Sequence, residues 1–183
     1  MGKMYSKNDL KTIKGMFQSP LIPKNYFVTG GKAVSSVSSL NAFDAALSSA
    51  GIAQCNLVSV SSILPMGAKE VEKCSIPPGT ITFAVLSRMD GLPGETICAG
   101  IAWGWTLKGE RLSYGLVAEG HGSKSEEEIR EELRLKLAEM AEARGVKLSD
   151  VKFRIEYMKV PEEKYGCVIA ALIYDNGQTR FRE

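Results

Sequence analysis

The sequence predicts an α+β sandwich. Three observations carry that prediction: strand-like segments dominate in the order β-α-β-β-β-β-α-β-β, only two long stretches keep helical periodicity, and a turn signal separates two neighbouring strands as in a hairpin. A doubly wound parallel sheet would need strands and helices to alternate along the chain, and here they do not.

Residues 1–22 are polar, contain Pro20 and read as an N-terminal extension; residues 23–183 form a single domain. Residues 24–29 predict a short strand. Gly30-Gly31 reads as the tight turn closing it, because no GxGxxG or GK[ST] pattern follows to make a phosphate cradle. Residues 32–39, rich in small and hydroxyl side chains, read as a loop. The spacing of Leu40, Phe43, Leu47 and Ala50 predicts a helix over 40–50, with Gly51 in the position a helix-ending glycine takes.

Residues 52–64 read as one strand rich in β-branched side chains, broken by Pro65. Residues 79–88 and 95–107 read as the arms of a hairpin around Asp90-Gly91-Leu92-Pro93-Gly94. Another strand covers 111–119 and gives way to Gly120 and Gly122. The strongest helix covers 125–144: Ser125 and Glu128 make a capping box, and acidic residues crowd the first turn, where the helix dipole favours them. Ile129, Leu133, Leu137 and Met140 form its core-facing stripe, Gly145 ends it, and its charged face reads as solvated. Residues 151–160 and 165–174 are the final strands.

At 183 residues the chain is long enough for one buried core. Its net charge is only +2, from 23 basic and 21 acidic residues, and no basic run is interleaved with aromatics; nothing argues for nucleic acid. No apolar stretch is long enough to be a signal peptide or a membrane span. Cys55, Cys74, Cys98 and Cys167 lack metal-ligand spacing, and His121 is the one histidine, so no metal site is expected. Scattered cysteines without a leader fit reduced, mostly buried thiols in a cytoplasmic protein.

Three places are unexplained by packing. Asp44 shares a helix face with Leu40 and lies between Phe43 and Leu47, so it is either a boundary aspartate reaching solvent or a carboxylate at the rim of an apolar pocket, ready for a cation. Ser61-Ser62 ends a strand before Pro65; Ser-Ser also occurs at 35–36, 38–39 and 48–49, so the pair alone says little. Glu119 ends an apolar strand beside glycines, a place for a solvent-exposed turn or for a proton donor.

Read together, the segments LNAFDAALSSAGIAQCNLVSVSSILP (40–65), LPGETI (92–97), YGLVAE (114–119) and EKYGCVIAALIY (163–174) resemble the pyruvoyl-dependent arginine decarboxylases, in that family's order. The resemblance covers most of residues 24–174. It implies a four-layer αββα sandwich with mainly antiparallel sheets, and a proenzyme that cuts itself into a β chain (1–61) and an α chain (62–183). Such pairs would assemble as a trimer with active sites between neighbours. By the same resemblance Ser61 and Ser62 are the cleavage pair, Ser62 the precursor of a covalent pyruvoyl group, Asn56 the processing residue and Glu119 the proton donor, while Leu40 and Asp44 contact arginine. No pyridoxal phosphate and no metal is implied. The Gly120-His121-Gly122 stretch and the longer N-terminus depart from the family pattern.

The residue types suit that chemistry. Decarboxylation leaves an electron pair on the α-carbon, and a Schiff base to a pyruvoyl carbonyl can accept it. The alternatives are a pyruvoyl decarboxylase for histidine or lysine, and an unprocessed, non-catalytic trimer binding a basic amino acid or polyamine. Asn56 and Ser62 share strand parity, but six extended residues span about 20 Å. Either the strand bends or Asn56 serves a neighbouring subunit's serine; the second is the expectation.

Overall fold

The computed structural model describes residues 21–175 together with Lys7, Asn8, Leu10 and Lys11, so most of the expected extension 1–22 lies outside the described residues. Among the described residues, nine strands sort into two sheets. The first has the order β2-β5-β9-β1-β4, from β1 (Asn25–Ser35), β2 (Asn56–Ser59), β4 (Lys69–Glu70), β5 (Ile81–Gly91) and β9 (Tyr165–Asp175). The second has the order β3-β7-β6-β8, from β3 (Ile63–Leu64), β6 (Thr96–Lys108), β7 (Arg111–Gly122) and β8 (Lys147–Lys159). Only the short edge pairs β1–β4 and β2–β5 are parallel. Helix α1 (Ser39–Ala50) covers the first sheet and α2 (Glu126–Glu142) the second, which completes the αββα sandwich.

Strand alternation builds the three apolar layers. On β9, Ala170, Leu172 and Tyr174 face Ile101, Trp103, Trp105 and Val117 of the other sheet, while Ile169, Ala171 and Ile173 face α1. Cys98 and Ala102 turn outward to Ile129, Leu133 and Leu137 of α2. Both helices have local stop and start signals. Ser38 caps α1, and at its end Gly51, with φ 74°, donates to Ser48 O while Ile52 donates to Leu47 O. Ser125 and Glu128 form the reciprocal capping box of α2.

Four expectations are corrected. Gly30-Gly31 is not a turn: β1 runs through it to Ser35, absorbing part of the expected loop. A Cβ on Gly31 would collide with the Ala46 carbonyl oxygen and lie 2.8 Å from Ala50 N, so the glycine permits α1 to sit close on the sheet. The expected hairpin of residues 79–107 does not form. β5 pairs with β9 and β6 with β7 and β8, and the turn at Gly94 (φ 80°) carries the chain from one sheet to the other. That corner is hydrogen-bonded to the β8–β9 corner, Gly94 donating to Val160 O and Val160 donating to Glu95 O. The expected strand 52–64 is two strands in different sheets, β2 and β3. Finally, β7 continues three residues past Glu119, through both glycines, so Glu119 lies within the strand and not at its end.

Candidate active site

The break between β2 and β3 places Ser61 and Ser62. Upstream, Val60 donates to Ala84 O and holds the chain to the first sheet; downstream, Val117 donates to Ser62 O and holds it to the second. The Ser61–Ser62 peptide therefore bridges the two sheets at their adjoining edges and belongs to neither strand. The serines face different spaces. Ser62 lines a cleft of about 390 Å³ with Glu119, with Lys136, Glu139 and Met140 of α2, and with Arg144 from the turn that follows α2. Ser61 lines a more apolar cavity of about 270 Å³ with Val60, Ile63, Phe83 and Tyr174.

Glu119 reaches the Ser62 cleft because β3 is short. It pairs β7 only at Gly115 and Leu116, and the last bond, from Val117 to Ser62 O, leaves the β7 edge beyond it uncovered. There Glu119 is exposed, and its backbone carbonyl accepts from Lys136 Nζ at 2.9 Å. Lys136 also pairs with Glu132, which in turn pairs with Lys124. The α2 residues in this cleft went unread in the sequence, where the charged face counted as solvated. Their signal is spacing alone: Lys136 and Glu139 or Met140 follow one another up one side of the helix, and Arg144 comes from the turn just beyond it.

Leu40, Asp44 and Asn56 are not brought to Ser62. The buried ridge of α1 is Ala42, Ala46 and Ala50, which turns Leu40 (70% exposed) and Asp44 outward. Asp44 is thus not inside the apolar stripe, and it has no hydrogen-bond or ion-pair partner among the described residues. Beside it, Phe43 carries the Arg88 guanidinium 3.7 Å above its ring, while Arg88 forks onto Asp90. Asn56 opens β2 on the far side of the crossing from Ser62, and its side-chain amide donates to its own chain's Gly79 O at 3.0 Å.

Burial raises the thiol pKa of Cys98 to about 11 and of Cys167 to about 12, and both are enclosed; Cys55 and Cys74 are half-buried. Among the described residues, no three His, Cys, Asp or Glu side chains gather as metal ligands, and no helix is long and apolar enough to cross a membrane.

Residues 25–179 match the family described as pyruvoyl-dependent arginine decarboxylase. Curated proteins of that description are similar over most of their length. The one from Methanopyrus kandleri is 36% identical over 157 residues, 84% of this chain and 97% of that protein. The one from Methanothermobacter thermautotrophicus is 34% identical over 137 residues, 74% and 86% of the two chains. The one from Methanocaldococcus jannaschii is 36% identical over 135 residues, 72% and 78%.

Proposed function

Because the chain belongs to the pyruvoyl-dependent arginine decarboxylase family, we propose that it decarboxylates arginine to agmatine and carbon dioxide with a pyruvoyl group made from its own Ser62. The observation that carries the residue assignment is the Ser61–Ser62 peptide: it is tied on each side to a different sheet, outside both ladders, with Ser62 and Glu119 in one cleft.

Self-cleavage is chemistry of this chain's own atoms. The Ser62 hydroxyl attacks the Ser61 carbonyl carbon, and the C–N bond gives way to an ester as the nitrogen takes a proton. Loss of the Ser62 α-proton then expels the Ser61 carboxylate, leaving dehydroalanine at 62. Water adds, ammonia leaves, and residue 62 becomes a blocked ketone at the head of a 62–183 chain. The attack develops an oxyanion, for which an amide donor such as Asn56 is suited. The ketone, once present, supplies an electron sink for a substrate amine.

The cleft fits such a group: Ser62 is partly exposed there, beside the Glu119 carboxylate and the side chains of Lys136, Glu139 and Met140. In turnover Glu119 returns a proton to the substrate α-carbon. Asp44 receives the guanidinium through a two-pronged charge-assisted pair, and Leu40 packs on the methylene stem. Since neither reaches Ser62 within one chain, the reading includes an oligomer, a trimer of cleaved pairs in the cytoplasm, in which a neighbour's α1 completes the cleft.

Intact mass spectrometry of the purified protein, followed by an arginine-to-agmatine assay, tests this. The expected result is two chains, 1–61 and 62–183, the second with a ketone at its head, and carbon dioxide released from arginine. A single full-length chain that binds arginine without consuming it would overturn the proposal in favour of a binding protein. Cleaved protein that turns over histidine or lysine instead would overturn the substrate.

A further inference from the structure

A chain that begins at residue 62 has a mechanical problem. Its first strand, β3, is two residues long and lies at a sheet edge, and new chain ends fray unless they are tied down. The reacting group would sit on that end, where a displacement of about 1 Å costs catalysis heavily.

Within its own sheet, β3 is held by the Val117–Ser62 bond and its short ladder with Gly115 and Leu116. One further tie crosses the sandwich. Tyr174, on the central strand β9 of the opposite sheet, donates its hydroxyl to Ile63 O at 2.9 Å. The ring is only 9% exposed and packs in the inter-sheet core, and burial pushes the phenol up to about 12, so it remains a donor at any working pH. The same side chain lines the cavity that holds Ser61.

We infer that Tyr174 is a positioning residue for both reactions of this chain: it fixes the carbonyl next to Ser62, first aligning the Ser62 hydroxyl with the Ser61 carbonyl carbon and then, after the cut, holding the residue-62 terminus in the cleft with Glu119. The inference rests on the self-cleavage reading above. It separates Tyr174 from the groups that recognise substrate, because Leu40 and Asp44 lie on the outer face of α1 and share no contact with it.

Tyr174→Phe keeps the ring and deletes the tie. Self-cleavage of freshly made protein is expected to slow about tenfold, in line with the loss of one buried hydrogen bond. The kcat of the fully cleaved variant is expected to fall by a similar factor, with KM for arginine within about twofold of wild type. Thr29→Val is the control for general stability, since it deletes a buried hydroxyl-to-carbonyl bond, from Thr29 to Ala50 O at 2.8 Å, between β1 and α1 and on neither β3 nor β7. It is expected to lower the melting temperature comparably and to cleave at the wild-type rate. Wild-type rates in Tyr174→Phe, or equal slowing in Thr29→Val, would overturn the inference and leave self-cleavage standing. Wild-type protein that never cleaves would overturn both.

Discussion

Adding one methyl group at Gly31 would damage the protein far more than adding it at Gly30, next door. At Gly31 the new Cβ meets backbone: it collides with Ala46 O and comes within 2.8 Å of Ala50 N, more than half an ångström short of ordinary van der Waals contact. Helix backbone cannot rotate away as a side chain does, so α1 must lift off the sheet, opening the layer in which Ala42, Ala46 and Ala50 pack on Phe27, Ile169 and Ala171. Overpacking of this kind costs about 3 kcal/mol, near the upper end of its usual range. For a chain of this size that is a fall of roughly 6–12 °C in melting temperature. At Gly30 the same atom meets two side chains and no backbone: Glu156 Oε1 at 2.6 Å, Arg154 Nε at 2.7 Å and Glu156 Cγ at 2.9 Å. Side chains can shift where helix backbone cannot, at the cost of loosening the Arg154–Glu156 pair, so the loss is about 1 kcal/mol, well short of that at Gly31. Calorimetry of Gly31→Ala and Gly30→Ala at matched protein concentration reads the difference. If Gly31→Ala melts within about 2 °C of wild type, or Gly30→Ala is equally damaging, the close-approach explanation of the Gly-Gly pair is wrong.

Two further outcomes follow from the charges. Asp44→Asn removes one charge from an exposed carboxylate with no partner of its own, so it raises KM for arginine about tenfold to a hundredfold and leaves the self-cleavage rate unchanged; equal loss in both would make Asp44 structural. Glu132 is held below the usual carboxylate range, first by the hydrogen bond from Lys124 and then by that from Lys136. A depressed folded value means that its contribution to stability is complete above the ordinary value of 4.5 and is lost as pH falls through the lower folded one. Glu132→Gln therefore lowers the melting temperature at neutral pH and flattens its decline on acidification below that point; an unchanged acid limb would exclude Glu132 as a contributor.

The parts of the fold that were legible in the sequence are those whose cause is local. Ser125 with Glu128, Gly51 and the apolar stripe of α2 act within a few residues of themselves, and the helices stand where they point. The misread parts depend on distant partners. Nothing near residue 94 reveals that its hydrogen-bond partner is Val160, so a sheet-to-sheet corner looked like a hairpin. The unbroken run of apolar and small residues from Ile97 to Trp105 was a usable hint, since a strand covered on both faces, as β6 is, lies between a helix and a second sheet. Ser61-Ser62 could be singled out only by resemblance, because the chain has three other such pairs. In the structure they differ: Ser35 ends a strand, Ser38 caps α1 and Ser48-Ser49 lie within that helix, whereas 61–62 is the pair that crosses between sheets.

That crossing also explains why the expected site residues divide into two groups. Ser62 and Glu119 meet because β3 stops short on β7, whereas Leu40, Asp44 and Asn56 remain on other faces, with the Asn56 amide held by Gly79 O and Asp44 open to solvent. For Asn56 to help its own Ser62, β2 would have to leave β5, where Asn56 pairs with Ile81 and donates to Thr80 O. A second chain could bring its Asn56 to the cleft with that edge intact. Two variants then make opposite halves of one site: Asn56→Ala keeps a competent serine, and Ser62→Ala keeps a competent amide. Co-expressed and assembled together, they are expected to yield the cut 62–183 fragment from the Asn56→Ala chain, while each variant alone stays whole. If the mixed oligomer stays uncut as well, the amide works within its own chain, and the edge strand β2 must open for cleavage to begin.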